Sequence, residues 1–139
     1  MMAGIRGRDT KPEIQLRRAM HKLGLRFRLH APNLPGRPDI VLPKYHAVIF
    51  VNGCFWHRHA GCRFATVPKT RPEFWQAKFA ANILRDTRNA ADLQDKGWKV
   101  AVVWECQLKS RGSADIAQNV MEWLKDNGSV LDSAIKKGL

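Results

Sequence analysis

The chain has 139 residues, 45% of them hydrophobic, which indicates one globular domain with a buried core and excludes a disordered chain. Its formal net charge of +12, from 24 basic and 12 acidic residues, predicts a polyanionic partner, and a merely solvated basic face is the alternative. No apolar run is long enough to span a bilayer, and residues 1–8 lack the apolar core of a secretory signal, so we expect a cytoplasmic protein with reduced cysteines.

The amino-terminal part divides into an arm and a helix. Residues 1–10 are basic and contain glycine, so we expect a mobile arm ahead of a single domain over residues 11–139. The segment from Thr10 to Glu13 has the capping residues and the proline of a helix start, apolar residues then recur at helical spacing, and Gly24 ends the pattern. Glu13 either only caps this helix or faces inward, toward a metal ion or its waters.

Short apolar segments predict strands in the next part of the chain. Arg26 to His30 alternates and indicates an edge strand, and a rigid turn rich in proline and glycine follows it. Asp39 then heads an apolar strand that ends at Leu42, and His46 to Val51 forms the next strand. We expect these last two strands to pair as a hairpin, with the carboxylate of Asp39 near one end.

Two helices and one further strand account for the second half of the chain. Pro72 to Gln94 predicts a long helix with an apolar stripe of Phe79, Ile83, Ala90 and Leu93. Asp86 falls on this stripe, and its carboxylate needs a partner if it is buried. Trp98 to Trp104 is apolar apart from one lysine and predicts a central strand, and Ser113 to Asp126 predicts a last helix. This order predicts an α/β fold with a mixed sheet and helices on both of its faces.

The segment from Val51 to Cys62 holds two cysteines, two histidines and two large aromatic residues directly after a predicted strand. It fits a structural metal site, a catalytic loop or a nucleic-acid wedge, and we expect all three. Zinc prefers four thiolate and imidazole ligands, and the candidates are Cys54, His59, Cys62 and, after a later strand, Cys106. Three buried thiols without a metal are the alternative.

Asp39 follows a proline at the head of a strand, where metal-dependent nucleases place the carboxylate that holds Mg²⁺ against the scissile phosphate. The glutamate and lysine that usually follow are absent from the next strand, which ends Phe50-Val51-Asn52, so a base must come from elsewhere. His57 is the candidate base and Asp86 the carboxylate that orients it. A histidine satisfied within the core is the alternative for His57.

Several segments of the chain match one family in order. They are Leu34-Pro-Gly-Arg-Pro-Asp39, Ala47-Val-Ile-Phe-Val-Asn-Gly-Cys-Phe-Trp-His57, Glu73-Phe-Trp75, Asn82, Arg85-Asp86, Gly97-Trp98 and Val103-Trp-Glu-Cys106. Together they resemble the very-short-patch-repair (Vsr-type) DNA mismatch endonucleases over residues 2–110. The resemblance implies a restriction-endonuclease-like fold with one structural zinc. It also implies a Mg²⁺-dependent nick in one strand beside the thymine of a T:G mismatch, which arises when 5-methylcytosine deaminates.

The resemblance also implies a catalytic role for each matching residue. Asp39 corresponds to the metal-binding aspartate, and the backbone carbonyl of Val51 can serve as a second magnesium ligand. His57 corresponds to the histidine that activates water, and Asp86 corresponds to the carboxylate that orients this histidine. Glu13 corresponds to an acid in the outer shell of the metal site.

The remaining matches concern zinc and DNA. The resemblance implies zinc ligation by Cys54, His59, Cys62 and Cys106, with a loop between His59 and Cys62 that is one residue longer than in the family. The DNA-binding candidates are the aromatic wedge of Phe55, Trp56 and Trp75, and the arm residues Met2 and Ile5. This chain has Val51 and Asn52 where the best-known member has threonine and histidine, and Asn52 is expected to hydrogen-bond a phosphate.

The expected partner is double-stranded DNA with a mismatch, bound by a monomer, and mismatch-repair accessory proteins are a partner class left open. One alternative is a zinc-stapled protein of the same fold that binds DNA without cleaving it, and another is a nuclease for other DNA structures. The set of Asp39, His57 and Asp86 favours cleavage, because a protein that only binds DNA does not need it.

Overall fold

The structure is a computed structural model that describes residues 11–53, 69–125 and 130–132. The predicted arm and most of the segment rich in cysteine and histidine lie outside these residues. The described elements are helix α1 (Lys11–Lys22), strands β1 (Arg28–Leu29) and β2 (Ile40–Leu42), a 3₁₀ turn (Pro43–Tyr45), strand β3 (Ala47–Asn52), helix α2 (Pro72–Asp95), strand β4 (Lys99–Trp104), helices α3 (Glu105–Arg111) and α4 (Ser113–Leu124), and strand β5 (Val130–Asp132).

The strands form one mixed sheet in the order β1-β2-β3-β4-β5. The first three are antiparallel, with Ile40 opposite Ile49, so the predicted hairpin is confirmed. Strands β3, β4 and β5 are parallel to one another, and β4 is paired on both sides, as its apolar sequence predicts. Antiparallel pairing places the start of β2 beside the end of β3. Asp39, which immediately precedes β2, therefore lies at the carboxyl end of β3.

Helices cover both faces of the sheet, as predicted. One face carries Ile40, Ile49 and Val103 and packs against α1, α3 and α4 in the larger core cluster. The other face carries Val41, Val48 and Val100 and packs against Leu93 of α2. Neighbouring strand residues alternate between the two clusters because successive side chains of a strand point to opposite faces. The sheet is therefore covered on both faces, so a functional site that is open to solvent is expected at the ends of the strands.

The predicted apolar stripe of α2 is wrong in its middle. Phe79 and Leu93 are buried, but Ile83 is 46% exposed and Asp86 is half-buried. The reason is that the middle of α2 faces an open cavity at the carboxyl end of β3, which Asp86 lines, and not a packed strand surface. No helix in the described part of the chain is long and apolar enough to cross a membrane.

The other differences from the predicted elements are local. Strand β1 has two exposed residues instead of five, and the last helix ends at Leu124 instead of Asp126. Helix α3 and strand β5 were not predicted. The first helix ends before Gly24, which has φ +90°, as expected for a glycine that stops a helix.

Candidate active site

The side chain of Asp39 is held by the backbone of the neighbouring strand. Its Oδ2 accepts a hydrogen bond of 2.7 Å from the N–H of Val51, near the end of β3. The antiparallel register causes this contact, because it places the residue before Ile40 opposite the last residues of β3. A carboxylate oxygen has further lone pairs, so Asp39 can still bind a cation while it accepts this bond.

A cavity of about 260 Å³ opens beside Asp39 at the carboxyl end of β3. It is lined by the turn before β2, by the end of β3, by the adjacent strand β4 and by α2, through Gly36, Arg37, Asp39, Phe50, Val51, Asn52, Asp86, Asn89, Ala90 and Val102. The structure thus brings together four residues singled out in the sequence, namely Asp39, Val51, Asn52 and Asp86. Asn52 is only 9% exposed, so its side chain belongs to the cavity and not to the open surface.

Helix α2 meets the turn before β2 at very close range. Asp86, Asn89 and Ala90 lie on one face of the helix because they are three or four residues apart. Gly36 has φ +76°, and a Cβ built on it would lie 2.9 Å from Asn89 Nδ2. Only glycine allows both this backbone conformation and this approach. The contact fixes the turn that leads to Asp39 against the helix that carries Asp86.

A second group of polar residues lies behind Asp39. Glu13 is 2% exposed and forms an ion pair with Arg17, one helical turn later on α1. His30 Nε2 lies 3.1 Å from Arg17 Nη2 and 3.6 Å from Glu13 Oε2, and His30 Nδ1 lies 3.9 Å from Asp39 Oδ1. Glu13 therefore faces inward and is connected to Asp39 through an imidazole. We call Glu13, Arg17, His30 and Asp39 the inner polar cluster.

Arg17 and His30 were not identified from the sequence. Arg17 has a weak signal, because a basic residue four positions after a buried acid on a helix can pair with it. His30 has none, since its contact with Asp39 depends on the pairing of β1 with β2, where Leu29 lies opposite Ile40. The backbone of His30 has φ +50°, a conformation that few residues other than glycine adopt.

Two regions of the described chain contain ligand groups for a cation. Glu13, His30 and Asp39 each bring one ligand atom within 4.8 Å of the others, but the guanidinium of Arg17 already lies among them and balances Glu13. The cavity offers carboxylates from Asp39 and Asp86 and contains one arginine, Arg37. Oxygen donors with a net negative charge suit Mg²⁺, so the residues present fit this ion better on the cavity side of Asp39.

Only one of the predicted zinc ligands lies within the described residues. Cys106 is the second residue of α3 and is half-buried. The ends of β3 and β4 are side by side, with Asn52 opposite Trp104. A Cβ built on Gly53 would lie 3.3 Å from Glu105 Oε1, so the residues just before Cys54 and Cys106 are in close contact. Cys54, His59 and Cys62 lie outside the described residues, and the zinc site stays a prediction.

Of the predicted DNA-binding residues, the structure describes Asn52 and Trp75. Trp75 is half-buried near the start of α2, and its ring lies 5.4 Å from the ring of Phe74 and 5.8 Å from that of Phe79. Phe74 is exposed and Phe79 is buried, so Trp75 lies at the boundary between core and solvent. The other DNA-binding candidates and the proposed base lie outside the described residues, namely Met2, Ile5, Phe55, Trp56 and His57.

Comparison with known proteins gives consistent matches. Residues 1–63 match the family model described as DNA mismatch endonuclease Vsr. The chain is 48% identical over 115 residues to the type II nicking enzyme V.XorIIP of Xanthomonas oryzae pv. oryzae, covering 83% of this chain and 84% of that protein. It is 42% identical over 131 residues to the DNA mismatch endonuclease Vsr of Escherichia coli, covering 92% and 83%. It is 41% identical over 111 residues to the type II nicking enzyme V.NmeAIP of Neisseria meningitidis, covering 80% and 79%.

Proposed function

Because this chain belongs to the family of Vsr DNA mismatch endonucleases and is a DNA endonuclease, we propose that it nicks one strand of a duplex at a T:G mismatch, with Mg²⁺ as cofactor. Such a mismatch is the product of 5-methylcytosine deamination. The observation that carries the proposal is the position of Asp39, whose carboxylate is fixed by the Val51 N–H at a cavity that Asp86 also lines.

Asp39 and the backbone carbonyl of Val51 would hold the magnesium ion. When bound, this ion polarises the scissile phosphate and stabilises the leaving oxygen. Arg37 lines the same cavity and can bind a phosphate oxygen by a charge-assisted hydrogen bond. Asn52 can donate its amide to a phosphate inside the cavity. These side chains would position the scissile bond.

His57 would accept the proton of the attacking water, and Asp86 would orient its imidazole. The segment that carries His57 begins directly after Asn52 and Gly53, at the wall of the cavity. Asp86 lines this cavity from α2, where a half-buried carboxylate can fix the tautomer of a neighbouring imidazole. Glu13 would act from the outer shell, since His30 lies between it and Asp39.

Zinc would tie the loop after β3 to the start of α3, through Cys54, His59, Cys62 and Cys106. The contact between Gly53 and Glu105 supports this, because both residues immediately precede a proposed ligand. Phe55, Trp56 and Trp75 would wedge into the duplex at the mismatch, while Met2 and Ile5 of the arm enter the opposite groove. A mismatched base step is the least costly to unstack, so the wedge would favour it over a paired step.

A nicking assay on one set of duplexes tests this function. The set contains a matched duplex, a T:G duplex and duplexes with other mismatches, each with and without Mg²⁺. We expect one nick, on the thymine strand of the T:G duplex, only with Mg²⁺. Equal cleavage of all duplexes would indicate a nuclease for other DNA structures, and tight binding without cleavage would indicate a DNA-binding protein of the same fold.

A further inference from the structure

The inner polar cluster defines which nitrogen of His30 carries the proton. Arg17 Nη2 lies 3.1 Å from His30 Nε2, within hydrogen-bond distance. A guanidinium has donors only, so Nε2 must accept this hydrogen bond with its lone pair. In a neutral imidazole the one proton is then on Nδ1. Arg17 thus selects the Nδ1–H tautomer of His30, and Glu13 balances the charge of Arg17.

The protonated nitrogen faces the second oxygen of Asp39. His30 Nδ1 lies 3.9 Å from Asp39 Oδ1, while Asp39 Oδ2 accepts from the N–H of Val51. A direct hydrogen bond of about 2.9 Å would need an approach of roughly 1 Å, and catalytic hydrogen bonds often tighten by this kind of shift when substrate binds. The side chains of His30 and Asp39 are 18% and 13% exposed, so little water competes for this contact.

We infer that His30 is a positioning residue that donates its Nδ1–H to Asp39 and fixes the orientation of this carboxylate, with its tautomer set by Arg17. The inference rests on the proposed function in one respect, namely that Asp39 binds the metal. Each oxygen of Asp39 then faces a nitrogen donor, Val51 on one side and His30 on the other. A carboxylate oriented in this way presents its remaining lone pairs in a fixed direction.

The backbone of His30 supports this role. Its φ of +50° is maintained by two hydrogen bonds to the turn before β2, from His30 N to the carbonyl of Asp39 at 3.1 Å and from Ala31 N to the carbonyl of Pro38 at 3.3 Å. The same short segment therefore positions both the imidazole and the carboxylate that it faces. Backbone conformations of this rare kind persist where the surrounding structure imposes them, often at functional sites.

The tautomer of His30 can be measured without an activity assay. Long-range proton–nitrogen NMR spectra of ¹⁵N-labelled, metal-free protein distinguish Nδ1–H from Nε2–H imidazoles, and the spectrum of His30→Asn assigns His30 among the five histidines. We expect the Nδ1–H form for His30. In the double variant Glu13→Leu and Arg17→Leu, which replaces a buried ion pair by apolar groups, this preference should disappear. An Nε2–H form in the unmodified protein, or an unchanged tautomer in the double variant, would overturn the inference.

The second experiment compares two amides at position 30. In His30→Asn the amide nitrogen takes the place of Nδ1, and asparagine adopts a positive φ more readily than most residues. In His30→Gln the amide lies near the place of Nε2. We expect the asparagine variant to nick T:G duplex at close to the normal rate, and the glutamine variant to lose about 10- to 100-fold in rate or in apparent Mg²⁺ affinity.

Binding of T:G duplex without metal and the thermal midpoint separate positioning from a structural role. DNA binding should be the same for His30→Asn and His30→Gln, and both variants should be fully folded at the assay temperature, although the positive φ of position 30 is expected to give the glutamine variant the lower thermal midpoint. Equal nicking by the two variants would exclude the positioning role, and so would a loss in the glutamine variant that unfolding explains. If the unmodified protein fails to nick, the proposed function fails, and the NMR measurement of the tautomer still decides this inference.

Discussion

At the scale of single residues, the site depends on one carboxylate with a fixed direction. A backbone N–H holds one oxygen of Asp39 at the wall of a cavity. Rigid strand pairing supplies this N–H, so one oxygen of the carboxylate is held by the backbone of the sheet itself. Substitutions of Asp39 should therefore affect chemistry more than folding.

Asp39→Asn should abolish nicking and leave DNA binding in place. The amide keeps the size of the carboxylate and can still accept from Val51, but it has no negative charge with which to bind Mg²⁺. Single-turnover nicking of T:G duplex measures the first effect, and the dissociation constant without metal measures the second. Asp92→Asn, the same change at an exposed position of α2, is the matched control and should behave as unmodified protein. Normal nicking by Asp39→Asn would mean that the active site lies elsewhere.

Gly36→Ala should destabilise the protein more than Gly24→Ala. Both glycines have positive φ, which costs an alanine roughly 1–2 kcal/mol. At Gly24 the new Cβ meets nothing within 4 Å, whereas at Gly36 it would lie 2.9 Å from Asn89 Nδ2. Overpacking of this kind adds about 1–3 kcal/mol. Urea unfolding of the two variants measures the difference, and equal losses would show that the close contact with α2 carries no energy.

At the scale of elements, α1 combines a buried face with a basic one. Glu13, Leu16 and Met20 are buried, whereas Arg18 and Lys22 are exposed and line a shallow cleft with His21 and Phe27. Arg17 belongs to both faces, because it lines this cleft and also pairs with Glu13. The helix therefore connects the inner polar cluster with a surface suited to the phosphate backbone.

Arg18→Ala and Lys22→Ala should each weaken binding by the same factor on T:G and matched duplexes. Contacts to phosphate carry no sequence information, and each lost contact should reduce the slope of log affinity against log salt by about 0.9. Lys96→Ala is the control, because this exposed lysine precedes β4, at the end of the sheet opposite the cavity. A loss confined to the T:G duplex would mean that these side chains recognise the mismatch itself.

The sequence predicts those elements whose signal is local. Strands β2, β3 and β4 are short apolar runs, and α1 and α2 begin at proline-containing starts. Helix α3 was missed because it follows β4 without a break, and β5 was missed because the edge of β4, not its own sequence, determines its pairing.

The residues of the candidate site also divide into those that a local sequence pattern identifies and those that only the folded structure identifies. Asp39 and Asp86 have sequence signals, one at a strand end and the other as an acid on a helix. His30 and Asn89 have none, because their roles come from strand register and from the approach of a distant turn.

At the scale of the whole molecule, the proposed zinc would join two parallel strands at their carboxyl ends, where the cavity opens. The ends of β3 and β4 are adjacent in the sheet, and Cys106 follows β4 as the second residue of α3. A metal that binds residues after both strands would hold the carboxyl ends of β3 and β4 together, and its binding free energy would add to the stability of the fold.

Cys106→Ala should remove one zinc per chain and destabilise the protein by about 4 kcal/mol or more, since loss of a structural metal is among the costliest changes. Elemental analysis and thermal unfolding measure the two effects. The matched control is a strong chelator, which should destabilise the unmodified protein and have no further effect on Cys106→Ala. Folded protein that contains no zinc and is insensitive to the chelator would exclude the site and its ligand set.

The proposed catalytic carboxylates come from both layers of the molecule. Glu13 belongs to the layer of α1, α3 and α4, Asp86 belongs to α2 on the other side of the sheet, and Asp39 lies between them at a strand end. A chain emerging from the ribosome has completed α1 and the hairpin long before α2. Helices α3 and α4, against which α1 packs, follow α2 in the chain, so a nascent chain that has only α1 and the hairpin lacks both the burial of α1 and the carboxylate of Asp86. If the three carboxylates act together as proposed, we expect the chain to become a nuclease only once both helical layers have packed on the sheet.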